Sequence, residues 1–207
     1  MALNFSLENI SAISIGGAWD GEPNISRVPP VARRRLGDCA RLAFSVTSGE
    51  RLEIPVIFSS YVGEINRCLS LLANLKDEIS PTSFSLSVLN AVPAQLSIDS
   101  KNNSEILAVS ARASFEIAVI SALKFKEAYV ISYFESPSKP YFKNEPLCVA
   151  IGAKVVCGGD RFSLEYEPCD EADATDVSEI RFLRNYERNS EWYYCDGALK
   201  WKWRHKF

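Results

Sequence analysis

The residues able to do chemistry in this chain are many thiols and almost no general base. Six cysteines (Cys39, Cys68, Cys148, Cys157, Cys169 and Cys195) stand against one histidine, His205. A zinc site or a redox pair read from sequence needs closely spaced Cys and His, and the cysteines are scattered without CxxC spacing. No metal, cofactor or disulfide framework is indicated. Ser104, Ser110 and Ser121 have no neighbouring histidine to take a proton, which removes the serine-hydrolase reading. Asp160, Glu165 and Glu167 fall in a hairpin-like stretch and read as solvated carboxylates, not an acid–base pair. The run Arg33-Arg34-Arg35 offers two readings, a solvated helix face or a docking patch for an acidic partner.

The elements that must position these groups follow from composition and periodicity. With 207 residues, 47% hydrophobic and 24% charged, the chain is a folded globular protein with one domain over residues 1–207. A net charge of -3 argues against nucleic acid as partner. No apolar run is long enough for a membrane span, and the first residues lack a signal-peptide pattern, so a cytoplasmic protein with reduced thiols is expected.

"FSLENISAISIG" reads as a strand with an irregularity near Asn9, and "VARRRLGDCARLAFSVTSG" as one helix ending near Gly49. "EIPVIFSS" suits a strand covered on both faces, and "GEINRCLSLLANLK" a helix with Ile65, Cys68, Leu69, Leu72 and Leu75 on its apolar side. Ser80 and Pro81 make an N-cap followed by a first-turn proline, opening a helix through Ile98 that Pro93 should kink. "SEILAVS", "RASFEIAVISALKF" and "EAYVISYFE" then give strand, helix and strand. Beyond Glu135, Pro137, Pro140 and Pro146 mark a loop. "CVAIGAKVV" and "RFSLEYEP" read as an antiparallel hairpin turned by "CGGD", and a helix is placed at Asp173 to Asn185. In the tail, Leu199, Trp201 and Trp203 alternate with Lys200, Lys202 and Arg204, a terminal hairpin turned at Asp196-Gly197 whose apolar face covers the body of the domain or a partner.

The run "PPVARRRLGDCARLA", "IPVIFSSYVGEINRCLSLLANL", "SPTSFSLSVLNAVPAQLSI", followed by strand and helix, resembles the N-terminal half of β-ketoacyl synthases of the thiolase superfamily. The resemblance implies an α/β fold, a thiolase-like half with a mostly parallel five-stranded central sheet and helices on both faces over residues 1–135. C-terminal β-hairpins and a helix follow over residues 136–207. In active synthases a Thr-Ala-Cys-Ala/Ser-Ser turn puts the nucleophilic cysteine at the N-terminus of a buried helix, where the helix dipole favours the thiolate. The matching letters here are Ser110, Ala111, Arg112, Ala113 and Ser114, so the nucleophile position is Arg112. A guanidinium stays protonated and cannot form a thioester. The two histidines that synthases draw from their C-terminal half are also missing. No catalytic residue is therefore expected.

Within that superfamily, "SPTSFSLSVLNA" is similar to the short ketosynthase-like chain length factors of bacterial aryl polyene biosynthesis, with Leu89 where a histidine is usual. This implies a non-catalytic subunit pairing with a full-length β-ketoacyl synthase and served by an acyl carrier protein. Interface or tunnel candidates are Ile106, Leu107, Ala108, Val109 and Ser110 on the strand, Phe115 on the following helix, and Phe84 and Val88. Arg33, Arg34 and Arg35 are the carrier-protein candidates. Two roles stay open for Arg112, shaping the partner's site or pairing with a carboxylate such as Glu116. A decarboxylase or acyl transferase with re-sited chemistry, and a carrier-binding scaffold, are the competing readings.

Overall fold

The segment "EAYVISYFE" is apolar at nearly every position, and in the computed structural model it becomes the middle of the fold, β4 (Glu127–Glu135), buried along almost its whole length. The structure describes residues 2–48, 50, 52–76, 79–138, 147–173 and 176–206. Alternate side chains of β4 enter two separate cores: Ala128, Val130 and Phe134 on one face, Tyr129, Ile131 and Tyr133 on the other. Beside it lies β2 (Val56–Ser60), buried at all five positions as expected for a doubly covered strand.

Eight strands form one sheet in the order β3-β2-β4-β5-β1-β6-β8-β7 among the described residues. The remaining six are β1 (Leu3–Ile15), β3 (Ile106–Ser110), β5 (Cys148–Cys157), β6 (Phe162–Pro168), β7 (Glu191–Cys195) and β8 (Leu199–His205). The thiolase-like half with C-terminal strands is present, but the parallel part is smaller than expected. Only β3-β2-β4 is parallel, each step from β2 to β3 and from β3 to β4 being a helical crossover between strands of that group. The pairs β4–β5, β5–β1, β1–β6, β6–β8 and β8–β7 are all antiparallel. The hairpin expected between β5 and β6 does not form, since β1 lies between them and pairs with both. The chain crosses β1 at Gly158-Gly159, where a Cβ on Gly159 would fall 2.4 Å from the Ser6 backbone nitrogen. The irregularity expected near Asn9 is a bulge between Glu8 and Ser11, with Asn9 at φ 52°.

Helix α6 (Ser114–Ala122) covers the core holding Val130, and α2 (Asp38–Val46) covers the other. Close approach of α2 to β5 depends on Gly152: a Cβ there would lie 2.6 Å from the Tyr129 hydroxyl, which donates 2.8 Å to the Val46 carbonyl.

Several helices are shorter than their periodicity suggested. The single helix expected from Val31 is two, α1 (Pro30–Arg33) and α2, because the chain turns between them to bury Leu36; its expected end at Gly49 lies outside the described residues. The long helix from Ser80 is also two, α4 (Pro81–Ser85) and α5 (Ala91–Ser100). Ser80 caps α4 as expected, accepting from Ser83 N–H at 3.3 Å. The helix then stops where Ser85 and Ser87 hydroxyls bond back to Pro81 and Phe84 carbonyls. Pro93 falls in the first turn of α5, where no N–H is needed, so no kink arises. The last helix, α7 (Ser178–Asn185), starts later than expected. Asp173 and Asp176 before it hold Arg181, and Asp176 also holds Arg184. In the proline-marked loop, Pro140 and Pro146 lie outside the described residues. Helix α3 (Ile65–Ala73) buries none of its side chains, leaving Leu72 59% exposed.

The terminal hairpin matches its alternation. Trp192 faces Trp203 and Tyr194 faces Trp201 across β7–β8, while the Asp196 carboxylate accepts from Ala198 and Leu199 N–H and from Trp201 Nε1. Its apolar face covers the domain's own core. Trp203 is fully buried among Phe5, Phe115, Phe162, Phe182 and Trp192. Trp203→Ala is expected to destabilise the fold by about 3–5 kcal/mol, checked as a drop in urea midpoint at unchanged slope.

Candidate functional site

The turn from β3 into α6 carries Ser110, Ala111, Arg112 and Ala113, and it places Arg112 at the helix N-terminus as the motif implied. The Arg112 side chain is exposed and lies over the Tyr61 ring, 5.8 Å from its centroid. A Cβ on Gly197, in the β7–β8 turn, would sit 3.3 Å from its Nη1. The Arg112 carbonyl accepts from the Tyr194 hydroxyl at 3.4 Å. Glu116 is not its partner, contrary to one of the two roles left open by the sequence.

Glu116 instead points inward and is wholly buried. It accepts from Trp203 Nε1 at 2.9 Å and from the Ser178 hydroxyl. Ser178 in turn accepts from the Phe115 N–H at 3.1 Å, satisfying a first-turn donor of α6. Glu179, also buried, accepts from Ser114 Oγ at 2.5 Å and Ser132 Oγ at 2.6 Å. The two helix N-termini thus exchange partners, each serine donating to the other helix's glutamate. Burial raises both carboxyls above their ordinary range, Glu116 to about 7, with Ser178 and Trp203 opposing the shift. In a synthase of this type the end of α6 would support an anionic thiolate. Here it is filled by the chain's own hydroxyl and carboxyl groups.

The remaining candidates separate. Among the described residues β3 pairs only with β2 and so stands at the edge of the sheet; Ile106, Leu107, Ala108 and Val109 are half-buried and Ser110 is exposed. Phe84 and Val88 are 62% and 46% exposed, in the company of Leu72, Leu75 and Ile98. Phe115 is corrected: it lies at 0% exposure against Phe182 and Trp203 and belongs to this chain's own core. Arg33 is corrected as well, because its guanidinium bonds the Val28 and Ser26 carbonyls, leaving Arg34 and Arg35 as the exposed members of the run.

Ser110 Oγ donates to the Tyr61 carbonyl and Ser104 Oγ to that of Glu53. His205 stacks on Phe162 with Nδ1 2.8 Å from the Tyr186 carbonyl oxygen. Glu165 and Glu167 are tied to Arg204 and Lys200 on the outer face of the sheet. Among the described residues no group of three or more His, Cys, Asp and Glu could hold a metal ion, and no helix is long and apolar enough to cross a membrane. The Ser114–Ser132–Glu179 and Ser178–Glu116–Trp203 contacts escaped the sequence reading. Its one visible sign is that both helices start with Ser and carry Glu in the first turn.

The result is a mixed sheet with a crossover helix, α6, behind a turn that carries Arg112. Residues 16–204 match the family described as "Beta-ketoacyl synthase, N-terminal domain", and the chain belongs to that family. No curated protein matches it. Among solved structures it is similar to a chain of the "Ketosynthase (ApeO) in Complex with its Chain Length Factor (ApeC) from Xenorhabdus doucetiae", with TM-score 0.77 and 20% identity over 98% of this chain and 100% of that one. A β-ketoacyl synthase from Burkholderia phymatum STM815 is a more distant likeness, TM-score 0.50 at 11% identity, covering 74% of this chain and 52% of that one.

Glu116 gives the fold a pH signature. Its carboxyl titrates near 4.5 when unfolded and at about 7 when folded, so between these values the native state holds the extra proton. Its contribution is complete below about pH 4.5 and is lost as pH rises through 7. Urea midpoints should fall from pH 5 to pH 8, and Glu116→Gln should flatten that fall; Glu179 and Glu135, also raised by burial, act in the same direction, and His205, lowered by burial, acts against them.

Proposed function

We propose that this chain is a non-catalytic, chain-length-factor-like subunit that pairs with a full-length β-ketoacyl synthase in the cytoplasm and helps shape the tunnel for a growing polyene chain. What carries the reading is the combination at one end of the sheet: an arginine where the nucleophile would be, beside an edge strand that this chain leaves unpaired. Condensation needs a thiolate to receive the acyl group from its thioester, and Arg112 cannot supply one. The open edge of β3 has no charged side chain to blunt it. Exposed Leu72 on α3, Phe84 on α4 and Ile98 on α5, with Leu75 and Val88 in the segments joining these helices, add apolar surface of the kind partners cover. The likeness to a chain from a ketosynthase bound to its chain length factor supports the same assignment, and "SPTSFSLSVLNA" supports aryl polyene synthesis as its setting. Arg34 and Arg35 are the groups proposed to meet an acidic acyl carrier protein.

The test is co-expression with a full-length β-ketoacyl synthase from the same genome. The pair should co-purify, and Val88→Asp with Ile98→Asp should weaken it at least tenfold, about 1.4 kcal/mol. The free variant should stay within about 0.5 kcal/mol of the parent, because both side chains are exposed. In the working complex, Val88→Phe should shorten the product distribution. Arg112→Cys should leave the isolated chain unable to condense acyl thioesters, for want of the supporting histidines. Turnover by the isolated parent chain would favour a re-sited decarboxylase or transferase. Carrier-protein binding without the synthase, with product length unaffected, would favour a scaffold.

A further inference from the structure

After β6 the chain does not leave the sheet but crosses the β7–β8 turn. Cys169 N–H donates 2.9 Å to the Ala198 carbonyl, and Ala172 bridges Asp196. Asp173 then closes a two-way contact with Cys195: its N–H donates 2.8 Å to the Cys195 carbonyl, and its carboxylate accepts from the Cys195 N–H at 2.9 Å. This crossing brings two residues that are 26 positions apart in sequence onto adjoining segments, Cys169 beside Ala198 and Cys195 beside Asp173, with the two side chains near enough to influence each other's charge. Both are half-buried, and both are free thiols. The Asp173 carboxylate and the Lys200 ammonium flank the pair. The Cys169 thiol donates to the Glu171 carbonyl at 3.7 Å, a long contact within its own segment. Of the other cysteines, Cys39 is buried, Cys157 is exposed, Cys148 is half-buried at the start of β5, and the Cys68 thiol donates to the Ser87 carbonyl at 3.5 Å.

We propose that Cys169 and Cys195 are a reversible disulfide site that takes a low-molecular-weight disulfide as oxidant. In the first step Cys169, as thiolate, attacks one sulfur of the small disulfide; a mixed disulfide forms, one small thiolate leaves, and the Cys169 proton goes to solvent. Cys195 then attacks the Cys169 sulfur, the Cys169–Cys195 bond forms, the second small thiolate leaves, and the Cys195 proton is lost. The two protein thiols are oxidised by two electrons and the small disulfide is reduced to two thiols. Burial first, and the neighbouring Cys169 next, hold the Cys195 thiol at about 11, so the second step accelerates with rising pH. The bridge closes a loop that contains α7, with Ser178 and Glu179, and β7 beside Arg112. It therefore restrains the segment that docks on α6. The proposal stands apart from the assignment as a synthase partner and needs no partner present.

Full-length purified chain, incubated with oxidised glutathione at mildly alkaline pH and then alkylated, tests it. The expected product is lighter than the reduced chain by two hydrogens before alkylation. It yields a tryptic peptide pair joined through Cys169 and Cys195 and melts several degrees higher, reversed by dithiothreitol. Cys169→Ser and Cys195→Ser should each abolish the joined peptides and leave the reduced melting temperature nearly unchanged. Recovery of Cys169 and Cys195 both alkylated, with glutathione attached elsewhere such as Cys157, overturns the proposal, as does a joined pair involving any other cysteine. Should either serine variant fail to fold, peptide mapping of the parent chain decides alone.

Discussion

Two glutamates inside the protein, each bound by serine from the other's helix, hold the first two thirds of the chain to the last third. A buried carboxyl with no partners is strongly unfavourable. Here Glu116 takes Trp203 Nε1 and the Ser178 hydroxyl, and Glu179 takes the Ser114 and Ser132 hydroxyls. Each group sits in the first turn of a helix, where the partial positive charge of the helix end favours it. The groups are satisfied only together: withdrawing α7 would strand Glu116 and the Phe115 N–H as well as Ser114. Because Trp203 joins the same exchange, β8 is bound to α6 by a polar contact within an aromatic core. The position of the β3–α6 turn, and of Arg112 in it, follows from this arrangement.

The two ends of the sheet are finished in opposite ways. On the outer face at the β7 end, Glu191 meets Lys202 and Arg204, Tyr193 lies under Lys200 and Lys202, and Glu165 and Glu167 continue the charges onto β6. Such an edge discourages strand addition. The β3 end carries Ile106, Leu107, Ala108 and Val109, half-covered and uncharged, and α5 beside it leaves Ile98 exposed. The two edges thus differ in chemistry, one charged and the other apolar.

Local pattern carried the strands well. The apolar run of β2, the bulge at Asn9, the cap at Ser80 and the alternation of β8 each follow from interactions within a few residues, and each was legible in sequence. The errors share a different cause. Whether β5 pairs with β6 or with β1 is decided by a strand more than 130 residues earlier in the chain, and hydrophobic periodicity carries no record of it. The split helices failed for a related reason: periodicity runs on through Leu36 and Leu86, while the chain turns there for tertiary burial and for serine hydroxyls that compete for backbone carbonyls. Arg112 was found because its neighbours match a motif. The Glu116 and Glu179 exchange was missed because the partners are 62 to 65 residues apart and glutamate ordinarily faces water.

This separation between the turn and its support means that the side chain at the turn can change without disturbing the fold. Arg112 projects outward over Tyr61 and touches the β7–β8 turn, so the side chain at that position contributes little to either core. The helix behind it is fixed from the inside, by Ser178 below the first turn and by packing of Phe115, Ala118, Val119 and Ala122. A thiolate at this helix end would need the first-turn donors free and a base or cation to hold the charge. The internal exchange occupies one of those donors, the Phe115 N–H, and His205 is engaged with Phe162 and Tyr186. The internal exchange fixes α6 from behind, and parallel pairing with β2 fixes β3 in front of it, so the turn between them is held at both ends whatever side chain stands at Arg112.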